Sequence, residues 1–333
     1  MNLLYIFGNG FDVNLDLSTK YSDFYKIYKE ISDSDHDLIR TFKSEIDPKN
    51  DTWADLELAL GRYTSKTKTA EDFEKIWFHL SKEFRTFIAK KESELLLVSD
   101  AQEIFINHLI NPENFLSPRE RNELLVWAHQ TFQSTSRKLP IDILTLNYTR
   151  TVETILGEGT VGNDIGDKFS KKVMLRSVEH IHGYIDDRLI FGVNDISQIE
   201  NTEFRDNLDI TELIVKPLHN HELGHTKDDE CERLINSANL ICVFGCSLGR
   251  TDLVWWERIA NRLNPSCRLI IFHYSDDPDL DPDHPILIRR IKRVVTERFL
   301  DLVDFKGDAR AKAEKEILVA VNTELFQNIK QST

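Results

Sequence analysis

Leu3-Leu4-Tyr5-Ile6-Phe7-Gly8-Asn9-Gly10-Phe11-Asp12 decides how the rest of the chain is read. Five apolar residues fit a buried strand, and the run breaks at once into two glycines around Asn9. A strand that delivers such a turn is how many α/β folds bring backbone N–H groups up to a phosphate. Glycine lacks the Cβ that would block the tight turn and the ligand's approach. Gly8, Asn9, Gly10, Phe11 and Asp12 are therefore candidate nucleotide-binding residues, with the N–H groups of Gly8 to Phe11 as a phosphate cradle. The dinucleotide fingerprint G-x-G-x-x-G wants glycine or alanine at position 13, where this chain has Val13. A plain glycine turn after a core strand is the competing reading.

Composition narrows the class. The 333 residues suffice for a large core, and 41% hydrophobic with 29% charged residues is ordinary for a folded protein. The net charge of −14 argues against a nucleic-acid partner, which needs a basic footprint. Four cysteines (Cys231, Cys242, Cys246, Cys267) form no C-x-x-C pair, so free thiols in a reducing compartment are expected. With no signal-like N-terminus and no apolar stretch of bilayer length, a cytoplasmic protein without membrane contact is expected.

Further along, strand-like runs are expected at 141–146, 173–176, 178–182, 188–192, 211–216, 239–244, 268–273 and 293–296. Helices are expected at 149–156, 228–237, 251–262, 284–291 and 309–330, with loops at 157–168 and 274–283. Between the first two strands the periodicity is helical: Phe24, Ile27, Tyr28 and Ile31, then Leu56, Ala59, Leu60 and Tyr63. Segments 71–90 and 118–135 also read as amphipathic helices, the latter with Ser117 as cap, Pro118 at the first position and Glu120 completing a capping box. The expected architecture is one α/β domain over 1–333, a Rossmann-like, mainly parallel sheet with a large helical insertion at about 35–135.

Polar chemistry collects at the ends of four of these strands. Gly8–Asp12 follows the first, Asn147-Tyr148-Thr149 the second, His182-Gly183 the strand at 178–181, and 245–252 the strand at 240–244. If the strands are parallel neighbours, two glycine turns, an amide, an imidazole and two carboxylates converge on one crevice. Each has a simpler reading taken alone. Asn147 can cap a helix, His182 can be a satisfied sheet-edge histidine, and Asp252 can be a helix N-terminal carboxylate.

His221-Glu222-Leu223-Gly224-His225 fits H-E-x-x-H, a zinc-protease pattern. Gly224 inside it, Pro217 before it and the charged stretch Lys227-Asp228-Asp229-Glu230 after it make a poor ligand helix. A metalloprotease is a competing reading, and no metal ligand is assigned.

Taken together, the motifs resemble the AbiH family of bacterial phage abortive-infection proteins. The matching residues are Tyr5 to Asp12 with Leu17 to Phe24, and Trp53-Ala54-Asp55-Leu56-Glu57 with Leu60-Gly61. They continue with Leu146-Asn147-Tyr148-Thr149, Thr151 and Glu153, with His180-Ile181-His182-Gly183 and Phe191-Gly192, and with Phe244 to Gly249 and Thr251-Asp252. The order of the motifs is also similar to that of sirtuin-like NAD-cleaving domains. That resemblance implies a sirtuin-like fold with Asn147 and His182 as the catalytic pair. Gly8, Asn9, Gly10, Phe11, Asp12, Tyr148, Gly245, Ser247, Leu248 and Asp252 would then bind the nucleotide. Sirtuin-like domains usually carry Gly-Ala-Gly where this chain has Gly8-Asn9-Gly10, and the zinc ribbon of deacetylases has no counterpart here.

The resulting expectation is an antiphage NAD glycohydrolase that releases nicotinamide and ADP-ribose, with NAD as substrate and no cofactor. A phage-encoded trigger and assembly into a homo-oligomer are compatible with that role. His182 would take a proton from the nucleophile while Asn147 orients it, and Asp12 or Asp252 would accept from ribose hydroxyls. The alternative is a non-catalytic nucleotide- or phage-protein-sensing module whose helical insertion is the recognition surface.

Overall fold

The computed structural model describes residues 1–31, 37–47, 53–132, 138–185, 189–222, 227–277 and 285–331. Among these residues, seven strands build one sheet: β1 (Leu3–Phe7), β2 (Lys138–Thr145), β3 (Asp164–Lys168), β4 (Lys171–His180), β5 (Leu240–Phe244), β6 (Arg268–His273) and β7 (Ile317–Val321). Their order is β3-β4-β2-β1-β5-β6-β7. Every neighbouring pair is parallel except β3 with β4. The protein is thus a mixed α/β structure on a mostly parallel sheet.

β1 runs through the middle, and each of its five side chains is buried because both sheet faces are covered. Leu3, Tyr5 and Phe7 point into a core shared with helices Ala101–Ile110 and Pro118–Thr131. Leu4 and Ile6 point the other way, against helices Lys227–Ser237, Leu253–Arg262 and Pro285–Leu302. A third core joins helices Tyr21–Glu30, Leu56–Tyr63 and Ala70–Glu92 to Tyr148, Phe191 and Ile214. Among the described residues, the elements between β1 and β2 are helices, from Gly10–Asn14 to Pro118–Thr131. The capping box at Ser117 forms: its hydroxyl accepts from the Glu120 N–H, and Glu120 Oε2 accepts from the Ser117 N–H at 3.2 Å.

Several elements differ from the sequence expectation. The pieces 173–176 and 178–182 are a single strand, β4, whose register against β2 shifts beside Ile141 and Asp142. Arg176 sits at that irregularity and its guanidinium binds the buried Asp142 carboxylate. Thr211–Ile214, expected as a strand, belongs to helix Leu208–Ile214. Asn207 caps that helix, and Ile210 and Ile214 fall on one buried face. Residues 293–296 lie inside helix Pro285–Leu302, with Val295 and Phe299 one turn apart in the core. The helix expected over 309–330 ends at Glu314, and the β-branched run after it pairs with β6 as β7. Residues 189–192 form no strand; Val193 makes one parallel bridge to Val215. The loop expected at 157–168 contains β3, and 278–283 of the loop at 274–283 lie outside the described residues.

The chain builds β2 and β4 on one side of β1, then crosses to build β5, β6 and β7 on the other. Such a reversal leaves a gap outside the strand C-termini where no helix can cover both sides, and ligands bind there.

Candidate functional site

The pairing register brings the four strand ends into one row. Phe7 stands opposite Thr145 of β2 and Phe244 of β5, and Thr145 stands opposite His180 of β4. The segments after these residues therefore emerge side by side. They wall a crevice of about 1600 Å³, whose lining includes Asn147, Tyr148, His182, Gly8, Asn9, Gly10, Asp12, Gly245, Ser247, Leu248 and Asp252. Of the residues singled out from sequence, Phe11 is the exception. Its ring is fully buried and stacks on Phe7 with centroids 4.5 Å apart.

The glycine turn is not a ready phosphate cradle, which corrects the expectation for Gly8 to Phe11. The Gly8 N–H donates to the Phe244 carbonyl at 3.0 Å, Gly10 N–H to Gly245 at 2.7 Å, and Phe11 N–H to Gly8 at 2.8 Å. Three of the four donors are thus spent inside the protein. The glycines instead let two turns interlock: a Cβ on Gly10 would lie 2.6 Å from Gly245 Cα. Gly245 itself has φ +70°, a conformation that favours glycine.

Asn147 behaves differently from a cap. Helix Thr151–Leu156 starts after Arg150 without any side-chain cap. The Asn147 side chain is 5% exposed, and neither end of its amide makes a well-formed hydrogen bond. A buried carboxamide normally finds partners; here it lies beside the Asp12 carboxylate, whose charge it helps to stabilise, and it lines the crevice. Its backbone is fixed from behind: His180 Nδ1 donates to the Asn147 carbonyl at 3.1 Å, and His180 Nε2 lies 2.7 Å from Glu153 Oε1. His180 thus holds the Asn147 backbone in place.

Asp12 is a buried anchor at the crevice wall. Its carboxylate accepts from the Thr149 hydroxyl at 2.8 Å, which ties the first turn to the segment after β2. Burial raises its pKa to about 6, against the stabilising Thr149 hydrogen bond.

His182 sits in a dense charged cluster. Its Nε2 lies 2.7 Å from Asp252 Oδ1 and 3.4 Å from Lys216 Nζ. Lys216 Nζ donates to Glu57 Oε2 at 2.8 Å and approaches Asp252 Oδ1 at 3.4 Å. Asp252 stands at the N-cap of helix Leu253–Arg262 without a side-chain cap bond, and its Oδ1 is engaged by His182 and Lys216. Burial opposes its charge, but Lys216 and His182 outweigh burial and hold its carboxyl far below the usual range. Burial likewise opposes the Lys216 charge, and Asp252 with Glu57 more than restores it. Glu57 is raised by burial to about 7. The Tyr148 hydroxyl lies 2.7 Å from Glu57 Oε1 and 3.0 Å from the Ile190 carbonyl. Tyr148 thus spends its hydroxyl on the protein and offers the crevice its ring.

Glu57 and Lys216 escaped assignment from sequence. Glu57 carries a usable signal, because it shares a helical face with Leu60 and Gly61, where an acid must be buried. Lys216 carries almost none beyond following the apolar pair Ile214-Val215. Asp55 of the same Trp53–Glu57 motif caps helix Leu56–Tyr63 and accepts from the Thr251 hydroxyl at 3.1 Å. The helical layer therefore closes over the crevice from above the strand ends. Of the H-E-x-x-H motif, Glu222 ends helix Lys216–Glu222, and Leu223, Gly224 and His225 lie outside the described residues. Cys231, Cys242 and Cys267 are buried free thiols, and Cys246 lines the crevice. No helix among the described residues is long and apolar enough to cross a membrane.

The family model described as bacteriophage abortive infection AbiH matches residues 4–273, which takes in all four strand ends and the Trp53–Glu57 motif. A comparison with curated proteins finds no match.

Proposed function

The chain belongs to the AbiH family of bacteriophage abortive-infection proteins, and from that premise we propose that it acts in antiphage defence by hydrolysing NAD to nicotinamide and ADP-ribose. The observation that carries this reading is the convergence of Asn147 and His182 on one crevice at adjacent strand ends. In the reaction a water oxygen attacks the ribose carbon C1′, and the bond to the nicotinamide nitrogen breaks. The electron pair of that bond leaves with nicotinamide and neutralises its ring. The proton of the water passes to His182, whose imidazole is suited to accept it near neutral pH. Asn147 orients the water and a ribose hydroxyl through its two amide ends. Because three of the four Gly8–Phe11 donors are spent, the pyrophosphate is assigned to the 245–249 loop and to Arg298, which lines the crevice and binds the Ser247 carbonyl at 2.9 Å. A sirtuin-like arrangement of the domain belongs to the same proposal.

Purified protein incubated with NAD is expected to release nicotinamide and ADP-ribose, and His182→Ala is expected to abolish release while keeping the fold. Retained turnover in a folded His182→Ala protein overturns the assignment. NAD bound without cleavage, together with unchanged NAD levels in infected cells expressing the protein, returns the reading to a nucleotide sensor.

A further inference from the structure

We propose that Lys216 is a positioning residue for His182: it holds the Asp252 carboxylate against Nε2 and so fixes which ring nitrogen carries the proton. The inference rests on the reading of His182 given above, but its chemistry can be read without NAD. The Lys216 ammonium has only donors, so it accepts nothing from His182. At 2.7 Å from Asp252, Nε2 therefore carries the proton and donates it to the carboxylate. Lys216 Nζ reaches Asp252 at 3.4 Å and Glu57 at 2.8 Å, closing the cluster from the far side.

Three features mark Lys216 as more than filler. It is 4% exposed, and a buried ion cluster is costly enough that apolar residues of the same volume would generally serve stability as well. Its backbone is pinned independently, since its N–H donates to the Val193 carbonyl at 2.9 Å. The partners arrive from separate elements: Glu57 from the helical layer, His182 after β4, and Asp252 after β5. Among the described residues, the charged and titratable groups facing the cluster include Asp252, Glu57, Asp55, Tyr148, Tyr21 and, beside Asp252, Cys246.

The test is a pH titration of ¹⁵N-histidine-labelled protein by NMR, with His182 assigned by its loss in His182→Gln. The basic-limb nitrogen shifts are expected to report the Nε2–H tautomer. Lys216→Met is expected to raise the His182 midpoint by about one pH unit or more, as loss of a nearby cation should. Glu57→Gln is expected to lower it by a smaller amount, because Lys216 then serves Asp252 alone. The double variant, which restores charge balance, is expected to fall near the wild type. If Lys216→Met fails to fold, the double variant against Glu57→Gln gives the same upward difference. Equal midpoints in that comparison, shifts of one sign in both single variants, or an Nδ1–H tautomer would each overturn the proposal. A protein with these shifts that cleaves no NAD would overturn the hydrolase reading and leave this one standing.

Discussion

His182 Nε2 and Asp252 Oδ1 meet at 2.7 Å across 70 residues of sequence. One follows β4 and the other follows β5, with β2 and β1 between those strands in the sheet. The pair thus spans the crevice mouth, and its existence depends on three successive parallel registers.

Replacing Asp252 with asparagine keeps an oxygen for Nε2–H but removes the charge that steadies an imidazolium. Nicotinamide release at pH 7.5 is expected to fall by on the order of 100-fold, the scale of general-base catalysis. The stability contribution has a sign as well. A depressed carboxyl stabilises the fold above its unfolded pKa and loses that contribution on acidification, so Asp252→Asn should show a shallower acid unfolding curve. Wild-type turnover in this variant would detach the pair from catalysis.

Asn147 and Tyr148 are adjacent yet should respond differently. Asn147→Ala removes a buried amide whose partner, Asp12, keeps its Thr149 hydrogen bond, so its thermal midpoint should change little while NAD cleavage disappears. Tyr148→Phe removes a hydroxyl placed between Glu57 and the Ile190 carbonyl, and should lower stability by about 1–3 kcal/mol. Urea titrations of the two variants compare these effects, and a large stability loss in Asn147→Ala would mean that its amide is structural.

Glu57 and Asp12 should make the fold more stable in mild acid than at pH 8. Both folded-state pKa values are raised, to about 7 and about 6. The stability linked to each is fully present below its unfolded value and is lost as pH rises through the folded one. Each contributes on the order of 3 kcal/mol to that decline. Glu57→Gln should flatten it between about pH 4.5 and 7, and Asp12→Asn between about 4 and 6. Melting curves across pH 4–8 read the slopes directly; unchanged slopes would show that both acids titrate normally.

The interlocked turns predict a contrast between glycines. Gly10→Ala would place Cβ 2.6 Å from Gly245 Cα, backbone that cannot step aside, so a loss of roughly 3 kcal/mol or more is expected. Gly159→Ala meets a positive φ, +76°, but open space, so its loss should be only about 1 kcal/mol. Equal urea midpoints for the two variants would refute the interlock.

Much of the fold is legible because it depends on local pattern. The uninterrupted apolar run at Leu3–Phe7 can only be a strand covered on both sides, and Ser117-Pro118 with Glu120 marks a helix start wherever it occurs. The misread segments are those where two local patterns compete. Thr211–Lys216 is β-branched enough for a strand, but the Asn207 cap and the spacing of Ile210 and Ile214 let tertiary packing select a helix. Asn147 and His182 were visible because glycine and polar residues cluster where buried strands stop.

By itself, then, the sequence determined the parallel sheet, the strand ends that carry polar chemistry and the family to which the chain belongs. Only the tertiary structure decided what those residues do for one another. It turned Asp12 inward to Thr149, spent the Gly8 and Gly10 donors on the β5 turn, and set Lys216 between Glu57 and Asp252. The physical reason is range. Hydrophobic period and turn chemistry act over a few residues, whereas the Lys216–Glu57 contact joins residues 159 apart and forms only once the helical layer has docked on the strand ends.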